Sequence, residues 1–223
     1  MKSPLSRRTG AEFLGAGFLV AAVVGSGIMG ERLANGNAAL ALLANSIATG
    51  AALASLIIVL GPVSGAHLNP AVTICEAWQG GMSRKEATCF IAAQICGSVG
   101  GTACANAMFA LPVFSISTHA RTGGPQWFSE LVATFGLILI IRGCVHARPE
   151  WLPVAVACYI AAAYWFTAST SFANPAVTIA RALTDTFTGI RPRDVFPFVA
   201  AQLCGAFSGM KVFDWLNLRA CGA

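Results

Sequence analysis

The chain has 223 residues, of which 56% are hydrophobic and only 10% are charged, and its mean hydropathy is +0.69. Soluble domains carry about a quarter charged residues, so this composition excludes that class and indicates a membrane protein. The net charge of +5 does not require a nucleic-acid partner, and none is expected, because most basic residues fall at predicted helix ends.

Six apolar segments follow one another along the chain. A transmembrane helix needs roughly 20 apolar residues. Segments of about this length cover approximately residues 11–30, 38–60, 86–109, 127–146, 152–169 and 194–217. The first has the basic flank of a signal peptide, but its apolar run is too long and Glu12 at its start is atypical of a cleavable segment. We therefore expect a retained first helix and a multi-pass protein in a lipid bilayer.

The basic residues predict the orientation, because they gather at cytoplasmic helix ends. The ends that we place in the cytoplasm hold Lys2, Arg7, Arg8, Arg84, Lys85 and Arg148. We expect the cell inner membrane, with both termini in the cytoplasm.

The two halves of the chain repeat each other in three places and in the same order. "AEFLGAGFLV" matches "SELVATFGLI", "NPAVTI" occurs twice, and "AAQICGSVGG" matches "AAQLCGAFSG". Three segments per half is an odd number, so the second copy, approximately 127–218, must be inverted relative to the first, approximately 11–110. We expect one membrane domain over residues 1–223, with a pathway between its halves.

Each Asn-Pro-Ala motif predicts the start of a short helix. The motif stands at Asn69, Pro70 and Ala71, and again at Asn174, Pro175 and Ala176. Asparagine is a good N-cap and proline suits the first helical position. About ten helical residues span about 15 Å, half of a bilayer core of about 30 Å. Two such half-helices would meet near the midplane, where their positive dipole ends repel cations and the asparagine amides bind a passing oxygen.

Glu12 and Glu130 open the first helix of each half. Their matching positions favour a shared task, which is to accept backbone N–H bonds from irregular loops inside the membrane; ordinary interfacial acids are the alternative. The third repeated stretch carries Gly97 with Gly101 and Gly205 with Gly209, spacings that allow close helix approach.

The eight cysteines include no Cys-x-x-Cys, and we expect no disulfide framework. Cys89, Cys96 and Cys104 recur at helical spacing, which favours helix packing but leaves contact with a thiophilic solute open. The histidines stand apart from any Ser-based or Glu-x-x-His pattern, so we expect no enzyme, and no metal or other cofactor is expected.

The paired Asn-Pro-Ala motifs, the six segments and the paired glutamates closely resemble the aquaporin or major intrinsic protein family, along essentially the whole chain. The resemblance implies an all-α membrane protein, a bundle of six transmembrane helices plus two re-entrant half-helices in an inverted repeat. It also implies a homotetramer with one pore per subunit, passive flow of water or small neutral solutes, and a pore-lining role for His67 on the cytoplasmic side.

The resemblance implies a selectivity filter from which this chain departs. Most members have an arginine directly after the second Asn-Pro-Ala, whereas Val177 stands here. Spacing from the two asparagines carries the other filter positions onto Thr49, Ala162 and Ser171. Such a ring is small and uncharged, so a wide filter is predicted.

Three further residues leave alternatives near this filter. If the loop before the second Asn-Pro-Ala contains a gap, Phe172 or Tyr159 intrudes into the ring. Arg181 lies one helical turn after Val177 on roughly the same face, and is either a displaced filter cation or the solvated end of the half-helix.

The stretch Val-Thr-Ile-Ala-Arg follows the second motif. With this stretch and Thr49, the chain resembles bacterial aquaglyceroporins associated with arsenic resistance. That similarity implies passage of glycerol-like polyols, metalloid hydroxides such as arsenite, and methylated arsenicals. A predominantly water-conducting channel is the alternative. A secondary transporter is a second alternative, although it would need a coupling-ion site.

Overall fold

The computed structural model describes residues 3–218, so Lys2 and Cys221 lie outside the described part. The helices in chain order are α1 (Leu5–Leu33), α2 (Ala38–Ser64), α3 (Pro70–Trp78), α4 (Arg84–Met108), α5 (Gly124–Ala147), α6 (Leu152–Phe166), α7 (Pro175–Arg181) and α8 (Pro192–Leu218). A single 3-10 turn, Pro149–Trp151, leads into α6. Residues 3–218 contain no strand, and the predicted all-α fold is confirmed.

Five helices, α1, α2, α4, α5 and α8, are long and apolar enough to cross a membrane. The fifth predicted segment, 152–169, is too long, because α6 has 15 residues and ends at Phe166. The chain beyond it turns into an irregular loop, in which Thr170 and Ser171 adopt positive φ. With the preceding 3-10 turn, α6 still extends over about 28 Å, close to the thickness of a bilayer core.

Glycines bring the helices of each half into backbone contact. A Cβ atom at Gly97 or Gly101 of α4 would collide with the Phe13 or Gly17 carbonyl of α1. A Cβ atom at Gly205 of α8 would collide with the Leu131 carbonyl of α5, and one at Gly209 would collide with the Phe135 carbonyl. The predicted small-residue pairs therefore lie at matching helix crossings, where only glycine fits.

Corresponding helices of the two halves pack against corresponding neighbours. Helix α1 packs against α2 and α4, and α5 packs against α6 and α8. The half-helices α3 and α7 each contact both α4 and α8, and they also contact each other. We call the two ends of the bundle the α3 end and the α7 end, after the half-helix that enters from each.

Candidate functional site

The two half-helices begin at the predicted asparagines. The side-chain Oδ1 of Asn69 accepts from Ala71 N at 2.9 Å, and that of Asn174 accepts from Ala176 N at 3.0 Å. Proline follows each asparagine at the first helical position. Each cap therefore satisfies a free N–H at the helix start and fixes the orientation of its own amide group.

The same asparagines bind each other's loops across the junction. Asn69 Nδ2 donates to the Ala173 carbonyl at 2.8 Å, and Asn174 Nδ2 donates to the Leu68 carbonyl at 2.8 Å. An amide nitrogen has two N–H donors, so one remains on each residue. Both asparagines line the same cavity.

Each loop before a half-helix contains non-glycine residues in left-handed conformations. The residues one and three positions before each asparagine are Leu68 (φ 51°) and Ala66 (φ 47°), then Ala173 (φ 48°) and Ser171 (φ 49°). Such conformations cost about 1–3 kcal/mol each when held in a rare region. Something around each loop must therefore hold it in place.

The two buried glutamates bind these loops. Glu12 accepts from the backbone N–H of His67 at 3.0 Å and of Leu68 at 2.7 Å. Glu130 accepts from Phe172 and Ala173, each at 2.9 Å. Both carboxylates are fully buried. Their geometry is that of loop supports, not of interfacial acids.

Sequence analysis missed four residues that complete these supports. Gln94 donates to Glu12 at 2.8 Å and to Thr73 at 2.9 Å. Gln202 donates to Glu130 at 2.6 Å and to Thr178 at 2.8 Å. A signal was present, because both glutamines lie in the repeated "AAQ" stretch and both threonines in the repeated "NPAVT".

A cavity of about 630 Å³ runs past the junction of the half-helices. Leu19, Val23, Leu53, Leu137 and Ile160 form much of its apolar wall. His67 also lines it, and its Nδ1 lies 3.1 Å from Thr73 Oγ1. A polar track on an apolar wall suits small uncharged molecules that lose their water shell in steps.

Three of the four predicted filter residues come together in this cavity. Thr49, Ser171 and Val177 all line it and are all buried. Tyr164 was not predicted, yet it lines the same cavity and its hydroxyl lies 3.2 Å from Thr49 Oγ1. The cavity wall beside Thr49 is therefore partly aromatic.

The assignment of Ala162 to the filter is wrong. Ala162 is exposed on the outer face of α6 and does not line the cavity. Positions two residues apart on a helix point about 200° apart, so Tyr164 faces inward where Ala162 faces outward. The loop between α6 and Asn174 is therefore effectively two residues shorter than the spacing from which Ala162 was assigned. Tyr159 is not an intruder either, because its hydroxyl donates to the Ala133 carbonyl of α5 at 2.9 Å.

Phe172 does reach the cavity, together with Arg181. The guanidinium carbon of Arg181 lies 3.3 Å from the centroid of the Phe172 ring. Arg181 is only 2% exposed. The interpretation of Arg181 as a solvated helix end is therefore wrong.

The loop between α4 and α5 closes over the α7 end. Ser117 N donates to the Ala182 carbonyl at 3.0 Å, and Arg191 N donates to the His119 carbonyl at 2.8 Å. Burial lowers the pKa of His119, and the nearby Arg121 lowers it further. Burial also lowers the pKa of Arg121, to about 10. Arg121 therefore stays charged at neutral pH, whereas burial disfavours the charged form of His119.

The cysteines stand away from the pathway. None of those between residues 3 and 218 lines the cavity, and all of them are free thiols. In the same part of the chain no cluster of His, Cys, Asp or Glu is suited to hold a metal ion.

Comparison with known proteins places this geometry in a family. The model of the family described as major intrinsic protein matches residues 1–153. The aquaglyceroporin AqpS of Rhizobium meliloti (strain 1021) is 52% identical over 212 residues, which cover 95% of this chain and 91% of that protein. Aquaporin NIP6-1 of Arabidopsis thaliana is 26% identical over 220 residues, covering 96% of this chain and 70% of that protein.

A solved structure shares the fold. The aquaglyceroporin from Plasmodium falciparum superposes with a TM-score of 0.72 at 23% sequence identity, and 94% of each chain is covered. The family match, the similarity along nearly the whole chain and the shared fold agree with the paired half-helices described above. The chain belongs to the major intrinsic protein family, the family of the aquaporins.

Proposed function

We propose that this chain is a passive channel for small neutral hydroxylated solutes, namely glycerol-like polyols and metalloid hydroxides such as arsenite, together with water. Members of the family are membrane channels for water and small neutral solutes. We include methylated arsenicals among these solutes because of the resemblance noted in the sequence.

The observation that carries the proposal is Val177. It lines the cavity where most of the family has an arginine, and it is buried against the pathway. Valine is shorter than arginine and offers no donors, so the pathway is wider and less polar on this side. Similarity to a protein named an aquaglyceroporin supports a solute larger than water.

A fixed pore suits the buried carboxylates better than a secondary transporter does. Glu12 and Glu130 are occupied by loop N–H groups and glutamine side chains, so neither is free to bind a coupling ion. The carboxylates that line the cavity are Glu76 and Glu150, near the α3 end. Neither lies at the midplane junction, where coupling ions bind in inverted-repeat transporters.

We also propose a homotetramer in the inner membrane with both termini in the cytoplasm. Large apolar side chains on the outer surface support lipid and subunit contacts, among them Phe18, Ile47, Val59 and Phe166. Arg7, Arg84 and Arg148 lie where α1 and α4 begin and α5 ends, which supports the orientation. Cross-linking in native membranes tests the oligomer.

Stopped-flow light scattering of proteoliposomes tests the solute class. The proposal predicts rapid downhill flux of glycerol and arsenous acid above that of empty liposomes. Water flux with no glycerol flux would favour the predominantly water-conducting alternative. Accumulation of solute against its gradient would refute a passive channel and favour a transporter.

A further inference from the structure

We propose that Arg181 supplies the cation of the selectivity filter in place of the arginine absent at position 177, and that Ser171 Oγ shares with it the binding of solute hydroxyl groups. The inference rests on the proposed function. It names the residues by which the channel excludes cations and holds its solutes.

Arg181 lies on the same half-helix as Val177. It follows Val177 by one turn of α7, which places it about 6 Å further from the junction of the half-helices. It lines the same cavity as Val177, Thr49 and Tyr164. A permeating molecule that passes the open side at Val177 therefore also passes this guanidinium.

The side chain of Arg181 is held in place by its contacts. Arg181 Nε donates to the Thr188 carbonyl, and its guanidinium stacks on the Phe172 ring. Phe172 in turn packs edge-on against Phe198, with ring centroids 5.3 Å apart. The Arg181 carbonyl accepts from Ile190 N at 3.3 Å, which holds the backbone as well. A planar guanidinium held in this way presents its remaining donors in one orientation.

Arg181 and Ser171 both have hydrogen-bonding groups without partners among the described residues. A guanidinium has five N–H donors. For Arg181, only the donor at Nε has a hydrogen-bond acceptor among residues 3–218. Ser171 is 2% exposed and lines the cavity, and its Oγ has no partner among the described residues. Ser171 directly precedes the Phe172 on which Arg181 stacks, so both groups serve one part of the pathway.

These groups match the chemistry of a neutral polyhydroxylated solute. Its hydroxyl oxygens accept from the guanidinium and exchange a hydrogen bond with Ser171 Oγ. A cation meets instead a fixed positive charge that has no ion-pair partner among the described residues. The same arrangement therefore binds the solute and rejects cations.

A second arginine at the α7 end has a different task. Arg121 donates to the carbonyls of Gly189 at 2.8 Å, Ser169 at 3.2 Å and Phe187 at 3.3 Å. It does not line the cavity. Its guanidinium carbon lies 5.0 Å from the Phe172 centroid, so it positions the loop that carries the filter.

The test compares Arg181→Gln, Arg181→Lys and Ser171→Ala with the wild-type protein in proteoliposomes. Proton and sodium leak are read from entrapped indicator dyes, and glycerol and water flux by light scattering. For Arg181→Gln we expect cation leak to rise at least about tenfold. Arg181→Lys keeps the leak within about threefold but slows glycerol, because lysine lacks the planar fork. Ser171→Ala lowers the ratio of glycerol to water flux about threefold and leaves the leak unchanged.

Arg193→Gln is the matched control, because Arg193 is an exposed arginine at the same end and lies outside the cavity; its leak and flux should equal wild type. Wild-type leak in Arg181→Gln, with native helical content, would overturn the inference. If Arg181→Gln does not fold, unchanged glycerol flux in Arg181→Lys together with an unchanged flux ratio in Ser171→Ala would overturn it. Absence of glycerol flux in the wild type refutes the proposed function instead.

Discussion

Substitution of Glu130 by alanine tests how the loop before α7 is held in place. The carboxylate accepts from Phe172 N, Ala173 N and Gln202 Nε2, and all three bonds lie in the buried interior. Alanine removes the acceptor for all three donors at once. The Glu130 side chain is fully buried, so the three bonds form without direct contact with bulk solvent.

The expected cost follows from these three bonds. A buried donor without a partner costs about 1–3 kcal/mol, so three cost about 3–9 kcal/mol. The loop also contains Ser171 at φ 49° and Ala173 at φ 48°, conformations that relax once the support is lost. A change of about 1.4 kcal/mol already shifts an equilibrium tenfold. We therefore expect solute permeability per protein to fall at least about tenfold.

The assay is stopped-flow glycerol flux in proteoliposomes, normalised to reconstituted protein, with circular dichroism as the check on helical content. Glu130→Gln keeps one acceptor oxygen and should show an intermediate loss. Glu31→Ala, at an exposed glutamate near the end of α1, should leave flux unchanged. Wild-type flux in Glu130→Ala with native helical content would refute the reasoning.

Three further predictions follow from the packing and from the lining of the cavity. Tyr164→Ala should raise glycerol permeability about threefold by widening the cavity beside Thr49, whereas Ala162→Leu on the outer face should not; equal effects on flux would contradict the corrected filter. Gly97→Leu should lower the thermal unfolding midpoint strongly, because its side chain meets the α1 backbone, and an unchanged midpoint would contradict that crossing. A membrane-impermeant thiol reagent should leave flux unchanged, since no cysteine within residues 3–218 lines the cavity; inhibition would contradict that lining.

The fold followed from the sequence because its signals are local and repeated. Apolar length predicted the spans, and an Asn-Pro start predicted each half-helix. The glycine spacings marked the helix crossings, since a Cβ at Gly97 or Gly205 has no room. Two helices differed: α6 ends early, at Phe166, and α7 has 7 residues instead of about ten.

The filter was harder to predict because its residues come from distant segments and depend on loop length. A loop effectively two residues shorter exchanged Ala162 for Tyr164, and no repeat marks this position. The burial of Arg181 depends on Thr188 and Phe172, which lie seven residues after it and nine before it. Such contacts arise from the fold of the loop and leave no periodic pattern in the sequence.

The central claim, that Val177 leaves the filter open to solutes larger than water, is tested most directly by Val177→Arg. Glycerol and water permeability of the variant are measured in the same proteoliposomes and compared with wild type. Val177→Met serves as the control of similar length without charge. The account predicts that arginine lowers glycerol flux at least about tenfold and water flux less than about threefold, with a smaller loss of glycerol flux for methionine. An equal loss of both fluxes in Val177→Arg, or no loss of either, would contradict it.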